Sequence, residues 1–185
     1  MPLPALRQLR VLGLDPGSRS TGFGLVEGLG ERSTCVEFGC IKAPVGDMPD
    51  RLGAIYAGVV EAVQRLRPDV MAVEQVFVAR SADSALKLGQ ARGAAIVAAI
   101  SNGVPVVEYA ARRVKQAITG SGSASKDQMQ RMMALLLNLP ELPSPDAADA
   151  LAIALCHLHA ERSPLRWAGP ARSHRRWKRL PGPTR

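Results

Sequence analysis

The chain has 185 residues, with 24 Lys/Arg against 16 Asp/Glu and a net charge of +8, a length at which one domain can bury a substantial core without staples. Its three cysteines, Cys35, Cys40 and Cys156, lack ligand-like spacing and read as small buried hydrophobes of a reducing compartment, against a zinc or disulfide framework. No secretory h-region precedes Leu9 and no apolar run is long enough to span a bilayer, so a soluble cytoplasmic protein is expected.

The first predicted strand is Leu9 to Leu14, closed by the turn signal Asp15-Pro16-Gly17-Ser18. Thr21 to Val26 and Cys35 to Ile41 predict two more strands, close enough in sequence for an antiparallel meander. From Asp47 to Arg67 the period changes: Leu52, Ile55, Val59, Val63 and Leu66 recur at helical spacing. Asp47 supplies a cap, Pro49 a first-turn proline and Pro68 a stop. Val70 to Val73 is a buried strand ending at Glu74.

Ser81 to Ser101 reads as an alanine-rich helix with Gly89 and Gly93 four apart. Each glycine costs about 1 kcal/mol against alanine there, so a close approach by another backbone is expected. Val104 to Tyr109 is a strand, followed by a helical run over Ala110 to Ile118, a Gly/Ser stretch over Thr119 to Ser125, and a helix striped with Met129, Met132, Met133, Leu136 and Leu137. The last helix starts after Ser144-Pro145 and ends near Glu161. This order predicts an α/β, ribonuclease H-like fold: a mixed five-stranded sheet with helices on both faces. Residues 1–161 would form that domain. Residues 162–185 hold eight basic residues, no acidic ones, and Trp167 and Trp177, the composition of a flexible basic arm that either touches nucleic acid or merely solubilises.

Four acids carry the chemical argument. Asp15 ends a strand beside Gly17, which leaves room for a phosphate or a metal-bound water; the same pattern also suits a plain tight turn or the phosphate loop of actin-like ATPases. Glu74 ends a strand suited to burial on both faces, and if that strand runs parallel to the first, both carboxylates reach one sheet edge. Asp146 and Asp149 lie three apart on a helix and share a face. Asp146 alone would complement the helix dipole, but Asp149 sits a turn deeper among Ala147, Ala148, Ala150, Leu151 and Ala152, small neighbours that let the helix lie close on the sheet. Four clustered carboxylates repel one another and are tenable mainly around divalent cations.

The stretches LGLDPGSRSTGFGL, AVEQVF, ADSALKLGQARG, EYAARRVKQAITGSGSASKDQM and PDAADALAIALCH resemble, block by block and in order, the RuvC family of bacterial Holliday junction resolvases. The resemblance runs from about Val11 to about His159 and leaves the basic tail outside it. It implies a homodimeric endonuclease that cuts four-way DNA junctions with Mg2+ or Mn2+ and works with the RuvA and RuvB branch-migration proteins. The family's metal-binding acids carry over onto Asp15, Glu74, Asp146 and Asp149, its junction-contacting aromatic onto Phe77, and two functional lysines onto Lys115 and Lys126. The family's preference for cutting after paired thymines is implied in the same way.

The expected chemistry is phosphodiester hydrolysis at two divalent ions, leaving a 5′-phosphate and a 3′-hydroxyl. Lys126 and Lys115 would set an ammonium against the transition state or a flanking phosphate; each also fits a solvated helix charge. Phe77 would stack on an unpaired base, or else belong to the core. Arg80 and Lys87 are candidates for backbone contact, Lys87 equally a helix-surface residue. Paired nicks call for a two-fold dimer, with the Ser81 to Ser101 helix as part of its contact. A nuclease of the same fold acting on another structured nucleic acid, and a non-catalytic nucleic-acid binder, are the competing readings.

Overall fold

The computed structural model describes residues 8–75 and 81–162. The predicted meander is formed by β1 (Leu9–Asp15), β2 (Ser20–Leu29) and β3 (Arg32–Lys42), each antiparallel to the next. The chain continues through α1 (Met48–Leu66), β4 (Val70–Gln75), α2 (Ala82–Ser101), β5 (Val106–Ala110), α3 (Ala111–Thr119), α4 (Lys126–Leu136) and α5 (Pro145–Arg162). The sheet order is β3-β2-β1-β4-β5, with β1, β4 and β5 mutually parallel. Helices cover both faces, as a ribonuclease H-like fold requires.

Strand alternation assigns each residue to one of two cores. Leu12, Leu14, Leu25 and Met71 pack with Ile55 and Val59 of α1 and Ala95 and Ala98 of α2. Val11, Val26, Val70 and Ala72 pack on the opposite face with Val114, Met133, Leu151 and Leu155 of α3, α4 and α5.

The helix ends follow local rules with one exception. Asp47 stands at the cap position of α1 but its side chain makes no capping bond, and the helix stops because Arg67 turns left-handed (φ 48°) just before Pro68. Ser144 Oγ accepts from the Ala147 amide at 3.4 Å, so the predicted serine cap forms, and the Ser81 side chain caps α2 in the same way, accepting from the Ser84 amide at 3.2 Å. Arg162, grouped by charge with the basic tail, closes α5 instead. Its guanidinium donates to the carbonyls of Glu31 at 3.2 Å and Arg32 at 2.6 Å, and to Ser33 Oγ at 3.0 Å. Residues 163–185 lie outside the described part. Among the described residues, no helix is long and apolar enough to cross a membrane, and the three cysteines are unpaired.

The backbone neighbour expected at Gly89 and Gly93 is not found among the described residues: a Cβ at either would meet none of their atoms within 4 Å. Close approach occurs elsewhere. A Cβ at Gly13 of β1 would lie 1.9 Å from the Ala150 carbonyl oxygen, and one at Gly22 of β2 would lie 2.0 Å from that of Asp146. α5 thus rests its backbone on the sheet, and its residues from Ala150 to Leu158 are all buried. Gly13→Ala is expected to cost about 3 kcal/mol or more by chemical denaturation. Gly53→Ala, where nothing lies within 4 Å, should instead gain about 0.5 kcal/mol.

Candidate active site at the strand ends

The same alternation decides where the acids point. Asp15 lies two residues beyond Gly13, and Glu74 two beyond Ala72, so both face α5 rather than α1 and α2. Because β1 and β4 are parallel, both emerge at one edge of the sheet. Asp15 pairs across the ladder with Gly22, the glycine on which the Asp146 carbonyl rests. The first turn of α5 is therefore set over the end of β1, with Asp149 one turn further along.

Short polar contacts hold this corner. Buried Thr21 donates through Oγ1 to the Gly17 carbonyl at 3.2 Å and accepts from the Gly17 amide at 3.4 Å, fixing the loop after Asp15. Ser144, besides capping α5, lies 3.2 Å from Cys40 Sγ of β3.

The four acids share one electrostatic environment. Burial, followed by the carboxylates of Asp149, Glu74 and Asp146, pushes the Asp15 pKa up to about 8, with Lys126 opposing. Glu74 is raised by burial and by Asp149, against Lys115 and Lys126. Asp149 is raised chiefly by burial, with Lys126 and Lys115 pulling it down and Asp146 pushing it up. Both predicted lysines thus belong to the cluster. Lys126 is the first residue of α4, placed there by a capping box in which Ser125 Oγ accepts from the Gln128 amide at 3.2 Å and Gln128 Oε1 accepts from the Ser125 amide at 2.8 Å. The Ser-x-x-Gln signal for this helix start, Ser125 to Gln128, is legible in the sequence.

The remaining predicted residues fall elsewhere. Phe77 and Arg80 lie outside the described residues. Lys87 is exposed on the first turns of α2 and pairs with Asp83 at 2.7 Å. His157, which is not among them, is buried, with Nδ1 2.7 Å from the Tyr109 hydroxyl. Arg92 was missed: its Nε donates to the Glu74 carbonyl at 3.1 Å. Only topology brings α2 beside the end of β4.

All the donors are carboxylate oxygens, hard ligands of the kind that suit magnesium or manganese. Among the described residues, no three of them close to metal-coordinating spacing; they are near enough to perturb one another strongly, as like charges must. The raised Asp15 pKa is a cost in stability. Between a carboxyl's ordinary 3.8 and about 8, the folded state holds one proton more than the unfolded state, so stability falls as pH rises through that window. In chelator, Asp15→Asn should therefore raise the melting temperature, with the gap widening from pH 5 to roughly 3 °C or more at pH 8.5 by calorimetry.

Comparison with known proteins places this geometry. Residues 11–157 match the family described as crossover junction endodeoxyribonuclease RuvC. The RuvC protein of Citrobacter koseri is 55% identical over 155 residues, covering 84% of this chain and 90% of its own. That of Yersinia enterocolitica is 56% identical over 156 residues, covering 84% and 90%. Among solved structures, Thermus thermophilus RuvC in complex with a Holliday junction substrate superposes with a TM-score of 0.77 at 40% identity, over 83% of this chain and 95% of that one. The yeast mitochondrial Holliday junction resolvase Ydc2 shares the fold, with a TM-score of 0.64 at 13% identity over 88% and 84%. With its strand-end acids facing α5 and its sequence matched along nearly the whole described length, the chain belongs to the RuvC family of crossover junction endodeoxyribonucleases.

Proposed function

We propose that this chain is a divalent-metal-dependent endonuclease that resolves four-way DNA junctions in recombination and repair by paired, symmetric nicks. The observation that carries the reading is the convergence of Asp15 and Glu74 at one edge of the sheet, under the first turns of the helix that bears Asp146 and Asp149, in a member of this family. Asp15, Glu74, Asp146 and Asp149 would hold two Mg2+ ions, with Mn2+ able to substitute. Such ions supply a water of lowered pKa and stabilise the departing 3′ oxygen, leaving a 5′-phosphate. Lys126 and Lys115, whose charges already act on Glu74 and Asp149, would orient the scissile phosphate and offset charge developing there. Phe77 and Arg80, on the segment after β4, would contact the junction. Lys87 is the weaker candidate, since Asp83 already neutralises it.

Purified protein should nick synthetic four-way junctions with Mg2+ or Mn2+ and stop in excess EDTA. Asp15→Asn should bind junctions with near wild-type affinity while cleaving about a thousandfold more slowly. Near wild-type cleavage by this variant would remove Asp15 from the site. Preferential cutting of an RNA–DNA hybrid would favour the other nuclease reading.

Two nicks of matched symmetry call for two centres, so the working form would be a homodimer. One face of α2 supports this. Leu86 and Val97 are 63% and 57% exposed, Ile100 is exposed as well, and Gly89 and Gly93 on the same stripe have open space beside them among the described residues. A second copy laid on that stripe would provide the backbone approach that the glycines permit. Val97→Glu combined with Leu86→Glu is expected to sediment as a monomer, where the unmodified chain sediments as a dimer. RuvA and RuvB would be the cellular partners, in the cytoplasm, where thiols such as Cys156, whose pKa burial pushes up to about 11, remain reduced.

A further inference from the structure

The carboxylate of Glu74 faces α5, but the residue is also gripped from the opposite face of the sheet. The β1–β4 ladder ends at the pair Leu14–Val73, one residue short of Glu74. From there β4 is paired on one side only, through Glu74–Tyr109 and Gln75–Ala110 of β5. Where the ladder stops, Arg92 of α2 takes over: its Nε donates to the Glu74 carbonyl at 3.1 Å, and its Nη2 lies 2.5 Å from Glu108 Oε1. Gln75 Nε2 completes the set, 3.5 Å from Glu108 Oε2.

We infer that Arg92, braced by Glu108, is a positioning residue that fixes the end of β4 and hence the aim of the Glu74 carboxylate. The inference rests on the assignment of Glu74 to the site proposed above. Glu108 follows Val107 and precedes Tyr109, both of which pack toward α5, so alternation turns it toward α2, where the guanidinium waits. A guanidinium suits this task because its fixed fork can hold a carbonyl and a carboxylate at once, whereas an ammonium is a point donor on a flexible stem. The Arg92 side chain is only 20% exposed, so the ion pair is partly shielded from solvent and from salt screening.

The Arg92 guanidinium is engaged by the Glu74 carbonyl and by Glu108, and a role through those partners is separable from a DNA-contact role. Arg92→Ala should lower the cleavage rate at saturating junction by about tenfold to hundredfold, as expected for support of a metal ligand. Junction affinity measured in EDTA should stay within about twofold, since no phosphate contact is removed. Mn2+ binding to the DNA-free protein, read by electron paramagnetic resonance, should weaken by a similar tenfold or more. Arg92→Lys should recover part of the rate, and Glu108→Gln should reproduce part of the loss, the double variant Arg92→Ala/Glu108→Gln being no worse than Arg92→Ala. An Arg92→Ala variant with lowered melting temperature but unchanged rate and Mn2+ affinity would overturn the inference. So would one whose junction affinity falls while its saturated rate holds. If the wild-type protein itself fails to nick junctions, the functional proposal fails instead, and the Mn2+ titration alone decides the role of Arg92.

Discussion

The backbone of α5 lies directly on β1 and β2 at two residues that have no side chain, Gly13 and Gly22, and the site depends on that contact. Packing between side chains leaves room for rotamer changes, but a helix carbonyl seated on a strand glycine does not, because no side-chain torsion lies between the two backbones. The alanines of α5 and the glycines of the strands are two halves of the same interface: Ala147, Ala148, Ala150, Ala152 and Ala154 are all fully or almost fully buried. Since Gly22 is also the ladder partner of Asp15, the contact that sets the helix sets the separation of Asp146 and Asp149 from Asp15. Enlarging either glycine would move the chemistry as well as loosen the core.

Against this rigid frame the acids are held in electrostatic tension. Burial raises Asp15, Glu74 and Asp149, and neighbouring carboxylates raise each further: Asp149, Glu74 and Asp146 act on Asp15, Asp149 on Glu74, and Asp146 on Asp149. Lys115 and Lys126 relieve part of it from α3 and α4, helices that reach the cluster from the side opposite α2. A cluster of this kind lowers the stability of the protein alone and favours whatever positive charge enters it. The neighbouring interior carries no comparable tension. Tyr109, beside Glu74 in the sheet, has its hydroxyl 2.7 Å from His157 Nδ1, and the Arg113 guanidinium lies 5.5 Å from the centre of its ring. Tyr109 and His157 thus satisfy each other beneath the site.

The strand ends therefore have two faces with different tasks. On one, β1 and β4 turn carboxylates toward α5 and toward solvent. On the other, α2 ties down the same stretch of β4 by its main chain. A strand that loses a ladder partner at its last residues would otherwise be free to fray. Period-two geometry makes the division possible, because consecutive residues of one strand, Glu74 and Gln75, serve opposite sides.

Much of this was written locally in the chain. The apolar run into Asp15, the helical spacing from Leu52 to Leu66, the Ser-Pro opening of α5 and the Asp146/Asp149 pair each depend on neighbours within a few residues, and local sterics and periodicity were enough to place them. The capping box at Ser125 was equally local and legible. What no window could reveal was which glycines are packed and which are bare. Gly89 and Gly93 looked like contact points and have open space beside them among the described residues, whereas Gly13 and Gly22, unremarked in their strands, carry α5. Arg162 looked like the start of a basic arm until the β2–β3 turn met it, and Arg92 looked like any helix arginine until β4 and β5 ended beside it. The sequence by itself determined the elements, their order and the identity of the acids, because those follow from short-range geometry. Only the tertiary structure decided how near the acids come and what holds them there, because that depends on backbones meeting across more than a hundred residues of intervening chain.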